Sequence, residues 1–209
     1  MSDACLHELF EAQARATPDA VALVWGTDEL TYRELDRRSA IVARELRALG
    51  VGPERNVGLC VDRSLELVIA MLGILRAGGA YVALDPRYPA ERLRYMLETT
   101  GAEIAVVGRG AALPVAPRHV MTIDAALWTR PADPIASGAR PENVAVVIFT
   151  SGSQGRPKGV CLEHRTLANR VRWQMQAFPP DAFDGVLAAA SIAFDASVAE
   201  IFSPLCRRC

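Results

Sequence analysis

The residues best suited to bind a charged ligand lie in one short stretch, residues 149–160, with the sequence FTSGSQGRPKGV. Glycines let its backbone turn tightly and approach a ligand closely. Hydroxyls and free backbone N–H groups can donate to phosphate oxygens. The stretch follows an apolar run, and we expect a helix directly after it. This composition favours a phosphate-binding loop over a plain connecting loop, with candidate ligands Thr150, Ser151, Gly152, Ser153, Gly155, Lys158 and Gly159.

Lys158 is the only lysine among the 23 basic residues of the chain. Lysine is a compact charge on a flexible stem, whereas arginine is a rigid planar fork, so a loop that needs one slim cation near phosphate could prefer lysine. The alternative is an accidental surface lysine. The stretch is not a Walker loop, which places lysine and then Ser or Thr directly after its last glycine. It is not a dinucleotide-binding fingerprint either.

A second candidate is Asp195, which stands between Phe194 and Ala196. We predict a buried strand at residues 186–190, so Asp195 follows shortly after it. A carboxylate in apolar surroundings is unfavourable unless it is paired. Asp195 therefore either meets a cation or stays exposed and caps the next helix.

The elements that must position these residues alternate between helix and strand along the chain. Thr31 and Glu34 form the pattern of a capping box, and Ser64 is a candidate cap of the next helix. The pair Gly78 and Gly79 predicts a helix end before another strand. Such alternation predicts an α/β fold with mainly parallel sheets flanked by helices.

Composition excludes several classes of protein. The chain has 209 residues, of which 51% are hydrophobic, and a net charge of −1. It therefore lacks the basic field that nucleic acid or an anionic membrane would require. Five scattered cysteines favour reduced thiols in a cytoplasmic protein. Two of them, Cys206 and Cys209, have metal-like spacing but no second ligand pair, so we predict no metal site.

The loop resembles the signature loop of the adenylate-forming, AMP-binding superfamily, which includes acyl-CoA synthetases, luciferases and the adenylation domains of nonribosomal peptide synthetases. The stretches LTYRELDRRS and LRAGGAYVALDPRYPAERLRYML resemble the early motifs of amino-acid adenylation domains. The resemblance implies an incomplete N-terminal large domain of the adenylate-forming fold over residues 1–205. Residues 206–209 are then an atypical tail, as expected from truncation or a frameshift.

The resemblance also implies roles for individual residues. The loop would bind the β- and γ-phosphates of ATP together with Mg²⁺. Gln154 would join the phosphate ligands, at a position where the family usually carries threonine. Asp195 would pair with the α-ammonium group of an amino-acid substrate, and Ala196 and Ala199 would line the pocket for its side chain.

The implied reaction joins an amino acid to ATP, giving an aminoacyl-adenylate and pyrophosphate. The aminoacyl group would pass to phosphopantetheine on a peptidyl carrier domain, next to a condensation domain, in nonribosomal peptide biosynthesis. The family's catalytic lysine lies outside this sequence, so we expect no catalytic residue here and no activity of the fragment alone. The alternatives are a non-catalytic remnant or interaction module, and a fragment of an acyl-CoA synthetase, which needs no partner for an ammonium group.

Overall fold

The computed structural model describes residues 4–115, 117–133, 135–151, 156–183 and 185–207. Within these ranges, the six α-helices are α1 Leu6–Ala16, α2 Tyr32–Ala48, α3 Leu65–Arg76, α4 Ala90–Thr100, α5 His164–Ala177 and α6 Ala196–Leu205. The eight strands of the same ranges are β1 Val21–Trp25, β2 Asp28–Thr31, β3 Asn56–Cys60, β4 Ala80–Ala83, β5 Ile104–Val107, β6 His119–Thr122, β7 Val144–Thr150 and β8 Lys158–Glu163.

Six strands form one sheet in the order β6-β5-β3-β4-β7-β8, and β1 pairs with β2 in a separate hairpin. Every pairing in the six-stranded sheet is parallel except that of β8 with β7. Helices α3 and α4 connect the central parallel strands. The predicted α/β fold with a mainly parallel, helix-flanked sheet is thus confirmed.

The sheet is buried on both faces, and β7 shows how. Val146 and Ile148 belong to one apolar cluster, which also contains residues of α1, α2, α3, α5 and α6. Val147 and Phe149 point to the opposite face and join a smaller cluster with residues of α4. Since successive side chains of a strand alternate between faces, a continuous apolar run such as this one suits a strand covered on both sides.

Local sequence signals account for the start of α2 and the end of α3. Gly78 has φ +87°, and a Cβ there would lie 2.3 Å from the carbonyl oxygen of Ser137, so only glycine fits after α3. The Thr31 hydroxyl accepts a hydrogen bond from the Glu34 N–H, which confirms it as the cap of α2. Ser64 occupies the N-cap position of α3, as predicted, but its side chain makes no capping bond.

The predicted strand at residues 186–190, all of which the structure describes, is absent. Arg63 donates to the carbonyl oxygens of Ala189 and Ala190, and the Ala190 N–H donates to Glu200. Side chains thus make hydrogen bonds to this backbone that a neighbouring strand would otherwise make. None of the described strands pairs with these residues. Among the described residues, no helix is long and apolar enough to cross a membrane.

Candidate functional site

A cavity of about 830 Å³ lies where β4 and β7 end. The two strands are parallel neighbours, so their carboxyl ends meet at one edge of the sheet, which is where open α/β sheets place ligands. Residues that follow or end these strands line the cavity together with a later segment. They are Asp85, Arg87, Tyr88, Arg92, Ile148, Phe149, Thr150, Ser151, Val160, Leu162, Ser191, Ala193, Phe194 and Asp195.

Asp85 anchors one wall of the cavity. Its carboxylate is buried and accepts hydrogen bonds from Nε and Nη2 of Arg87, at 2.9 and 2.7 Å, and from the Ser191 hydroxyl at 2.7 Å. The hydrogen bonds from Arg87 hold the pKa of Asp85 well below its usual range, against the opposing effect of burial. Asp85 is therefore ionised and ties the end of β4 to the segment before α6.

Arg92 supplies a further cationic group at the same cavity. Its guanidinium lies over the ring of Tyr88, with 3.9 Å between the guanidinium carbon and the ring centroid. The Nε atom is buried and has no hydrogen-bond partner among the described residues. A buried donor without a partner is unfavourable in the absence of a ligand. This feature fits a site for an anionic oxygen.

The Gly-rich stretch of residues 149–160 begins in β7 and ends in β8. Thr150 lies opposite Lys158 in the antiparallel register of these two strands. The expectation that a helix directly follows the loop is therefore wrong, because β8 intervenes before α5 begins at His164. Thr150, Ser151, Lys158 and Gly159 are exposed at the ends of the loop. The remaining predicted phosphate ligands, Gly152, Ser153, Gln154 and Gly155, lie outside the described residues.

Asp195 lines the same cavity as Thr150 and Ser151, so the structure brings the predicted amine ligand and part of the predicted phosphate loop together. Its carboxylate is 64% exposed and forms an ion pair of 3.1 Å with Arg170. Asp195 thus meets a cation, as one alternative expected, and is exposed, as the other expected, while the preceding segment is not the predicted buried strand. Asp195 also stands at the cap position of α6, but its side chain makes no capping bond.

The two predicted pocket residues lie on α6. Ala196 is half-buried and Ala199 is buried, and neither lines the cavity that contains Asp195. The structure therefore does not bring them to the described cavity.

Sequence reasoning did not single out Asp85, Arg87, Arg92 or Ser191. One signal was available for Asp85, since an acidic residue directly after a buried parallel strand lies at the ligand-binding edge of the sheet. Ser191 could not be found in this way, because its partner Asp85 is 106 positions away in the sequence.

A buried cluster of Cys5, His7 and His164 lies apart from this cavity, with one potential ligand atom from each residue within 4.8 Å of the others. The Leu6 N–H donates to Nδ1 of His164 at 3.2 Å. In the neutral ring, Nε2 must then carry the proton, so it offers no lone pair to a metal. This hydrogen bond opposes coordination by His164, and the absence of a metal site stays a prediction. His164 is the first residue of α5.

Comparison with known proteins shows the family of this chain. The family model described as "AMP-binding enzyme" matches residues 10–209. The chain belongs to this family. It is 43% identical over 207 residues to the AMB antimetabolite synthetase AmbB of Pseudomonas aeruginosa and 42% identical over 202 residues to tyrocidine synthase 3 of Brevibacillus parabrevis. These matches cover 96% of this chain, but 16% and 3% of the two relatives, so it spans a small part of each.

Solved structures agree with this assignment. The AMPPNP-bound nonribosomal peptide synthetase FmoA3 matches with a TM-score of 0.90 and 38% identity, over 98% of this chain and 22% of that one. The N-terminal subdomain of NpsA from Klebsiella oxytoca matches with a TM-score of 0.83 and 25% identity, over 99% of this chain and 54% of the subdomain chain. This AMP-binding chain thus corresponds to the N-terminal part of adenylation domains from nonribosomal peptide synthetases.

Proposed function

We propose that this chain, as part of a complete adenylation domain, holds ATP and an amino acid while an aminoacyl-adenylate forms. The single observation that carries the proposal is that Thr150, Ser151 and Asp195 line one cavity. Their shared cavity supports our assignment of Thr150 and Ser151 as phosphate donors and of Asp195 as the acidic partner of an ammonium group. An acyl-CoA synthetase would also need phosphate donors, but it would not need an acidic partner for an ammonium group.

The phosphate side of the cavity has suitable donors. Thr150 and Ser151 offer hydroxyls, Arg92 offers an Nε–H that no described residue accepts, and Lys158 begins the strand opposite Thr150. Such groups stabilise the charge that develops on a departing pyrophosphate. Mg²⁺ would add further charge neutralisation. The carboxylate of Asp85 already bonds to Arg87 and Ser191, so we do not assign it to Mg²⁺.

The amine side of the cavity depends on Asp195. Its ion pair with Arg170 is largely exposed, with side-chain exposures of 64% and 45%, and pairs of this kind contribute about 0–1 kcal/mol. An incoming α-ammonium can therefore replace Arg170 as the partner of the carboxylate at little energetic cost. The substrate's own charge would then select amino acids over acids that lack an amine.

In the proposed reaction, a carboxylate oxygen of the amino acid attacks the α-phosphorus of ATP. The bond from the α-phosphorus to the bridging oxygen breaks, and its electron pair leaves with pyrophosphate. The phosphopantetheine thiol of a peptidyl carrier domain would then attack the aminoacyl carbonyl carbon, so that a thioester forms and AMP leaves. The carrier would present the thioester to a condensation domain. We place the reaction in the cytoplasm, where thiols stay reduced, and the described cysteines Cys5, Cys60, Cys161 and Cys206 are free.

The test uses a chimera in which this chain is completed by the rest of the adenylation domain of AmbB, beginning where the match to this chain ends. Amino-acid-dependent exchange of labelled pyrophosphate into ATP is the readout. Lys158→Ala should lower kcat/KM for ATP about tenfold or more, since it removes a charged phosphate contact. Arg156→Ala is the matched control, as it removes an exposed cation from the same loop. Equal losses of kcat/KM in both variants would show that ATP binding needs the positive charge of the loop and no specific contact from Lys158.

The substrate class is tested with Asp195→Ala, assayed on an amino acid and on its deaminated analogue. The variant should lose about tenfold or more on the amino acid and much less on the analogue. Asp133→Ala is the control, because it breaks another exposed Arg–Asp pair, with Arg44, away from the cavity. Equal losses on both substrates would support the acyl-CoA synthetase alternative. A chimera without any exchange would support the non-catalytic remnant. The chain alone spans 54% of the NpsA subdomain, so we expect no exchange from it.

A further inference from the structure

One tyrosine of α4 contacts the Gly-rich stretch at two places. The hydroxyl of Tyr95 donates a hydrogen bond to the carbonyl oxygen of Pro157 at 3.2 Å, directly before β8 begins. Its ring meets the ring of Phe149 in β7 edge to face, with 6.2 Å between the two centroids. Tyr95 is half-buried and does not line the cavity at the ends of β4 and β7. It therefore acts on the stretch from outside the cavity.

The hydrogen bond to Pro157 fixes the backbone of Lys158. The Pro157 carbonyl and the Lys158 nitrogen belong to one planar peptide unit, so holding the oxygen also holds the Lys158 nitrogen. Proline restricts its own φ, which leaves fewer conformations for this bond to select. The position where the Lys158 side chain begins is thus set by a side chain of α4.

The residue after Lys158 is held through the same aromatic pair. Gly159 lies opposite Phe149 in the antiparallel register, and a Cβ added to Gly159 would lie 3.4 Å from Cζ of Phe149. The ring that Tyr95 contacts therefore packs against the backbone of Gly159. Edge-to-face aromatic pairs add stability beyond the area that they bury. Both neighbours of Lys158 are thus in contact with Tyr95 or with its aromatic partner.

The same face of α4 also reaches the cavity. Arg92 precedes Tyr95 by three residues, so the two side chains are neighbours on the helix surface. Arg92 lines the cavity together with Thr150, and Thr150 lies opposite Lys158. We propose that Tyr95 is a positioning residue, which fixes the backbone of Lys158 so that its ammonium group meets the phosphates of ATP. The inference rests on the proposed function for the role of Lys158, whose flexible side chain gains most from a fixed starting point.

The test replaces Tyr95 by phenylalanine in the AmbB chimera, which removes the hydroxyl and keeps the ring. Tyr95→Phe should raise KM for ATP about fivefold in pyrophosphate exchange, because one hydrogen bond is lost, and leave KM for the amino acid unchanged. A general loss of folded protein would instead lower kcat and leave both KM values unchanged. In a chimera that already carries Lys158→Ala, Tyr95→Phe should change kcat/KM for ATP less than about twofold, because the group that it positions is gone.

Tyr32→Phe is the matched control, since the Tyr32 hydroxyl donates to the carbonyl oxygen of another proline, Pro204, at 3.3 Å. Neither of these two residues lines the cavity. Tyr32→Phe should leave KM for ATP unchanged. An equal rise of KM for ATP in Tyr32→Phe and Tyr95→Phe would contradict the proposal. So would an equal effect of Tyr95→Phe with and without Lys158→Ala.

Hydrogen exchange in this chain without any ligand separates the positioning role from the proposed function. The amides of residues 158–160 should exchange about fivefold faster in Tyr95→Phe than in the original chain, and Tyr32→Phe should leave them unchanged. Faster exchange of these amides beside an AmbB chimera without pyrophosphate exchange would support the positioning of Lys158 and refute the proposed function. Unchanged amide exchange in Tyr95→Phe, or an unchanged KM for ATP in an active Tyr95→Phe chimera, would overturn the positioning role itself.

Discussion

Strand β7 and residues 186–190 are two short apolar segments in very different surroundings. β7 pairs with β4 on one side and β8 on the other, and its apolar residues from 145 to 149 are all buried. Residues 186–190 pair with no described strand, and Leu187 is 82% exposed. An apolar run becomes a buried strand only where neighbouring strands complete its hydrogen bonds and helices cover its faces.

The largest effect that tests this comparison is expected in β7. Ile148→Ala should lower the free energy of unfolding by about 2–5 kcal/mol, because it removes a buried side chain and leaves a cavity in the packed cluster. Urea denaturation measures the change. A loss below about 0.5 kcal/mol, the size typical of surface substitutions, would mean that β7 is no better packed than residues 186–190.

A second prediction concerns pH and the contact between α1 and α5. Burial, followed by the charges of His164 and Arg76, lowers the pKa of His7 to about 3, and burial lowers the pKa of His164 to about 4. The unfolded chain binds protons at these histidines below about pH 6.5, while the folded chain does not. Stability should therefore fall as pH drops from 6.5 towards 4, by roughly 1.4 kcal/mol per pH unit for each histidine.

Urea denaturation at several pH values above about 5 isolates this effect. The hydrogen bond from Arg37 lowers the pKa of Glu34 to about 2. Glu34 therefore changes the pH dependence of stability only below the pKa that it has in the unfolded chain. Burial raises the pKa of Glu11, so protonation of Glu11 favours the folded chain as pH drops and opposes the effect of the histidines. The contribution of His7 is therefore measured by comparing the original chain with His7→Phe. In His7→Phe, the free energy of unfolding should fall less steeply as pH drops. An unchanged dependence on pH would contradict the assignment of this effect to His7.

The smallest effect is expected at the exposed segment. Leu187→Ala should change the free energy of unfolding by less than about 0.5 kcal/mol, because this exposed side chain buries little surface when the chain folds. Together with Ile148→Ala this forms a matched pair of truncations in two apolar segments. A loss of about 2 kcal/mol or more at Leu187, the size expected of a buried side chain, would show that residues 186–190 are packed in solution.

These segments also show what the sequence could predict. The apolar run of β7, the hydroxyl of Thr31 and Gly78 are local signals, and each produced the expected element. The error at residues 186–190 arose because strand pairing depends on a neighbour that no local pattern reveals. Thr150 and Ser151 were predicted to bind phosphate and Asp195 to bind an ammonium group, and the three residues line one cavity. The ion pair of Asp195 with Arg170 and the bond of Ser191 to Asp85 depend on the tertiary fold, so they could not be predicted.

The antiparallel turn from β7 to β8 has a consequence for how this protein can evolve. Thr150 and Lys158 face each other in register, so the chain leaves the sheet and returns to it at the same place. If the proposed function holds, substitutions between these two residues would alter ligand affinity without removing the pairing of β7 with β8. Selection can thus act on the loop and on the sheet as separate, exchangeable units.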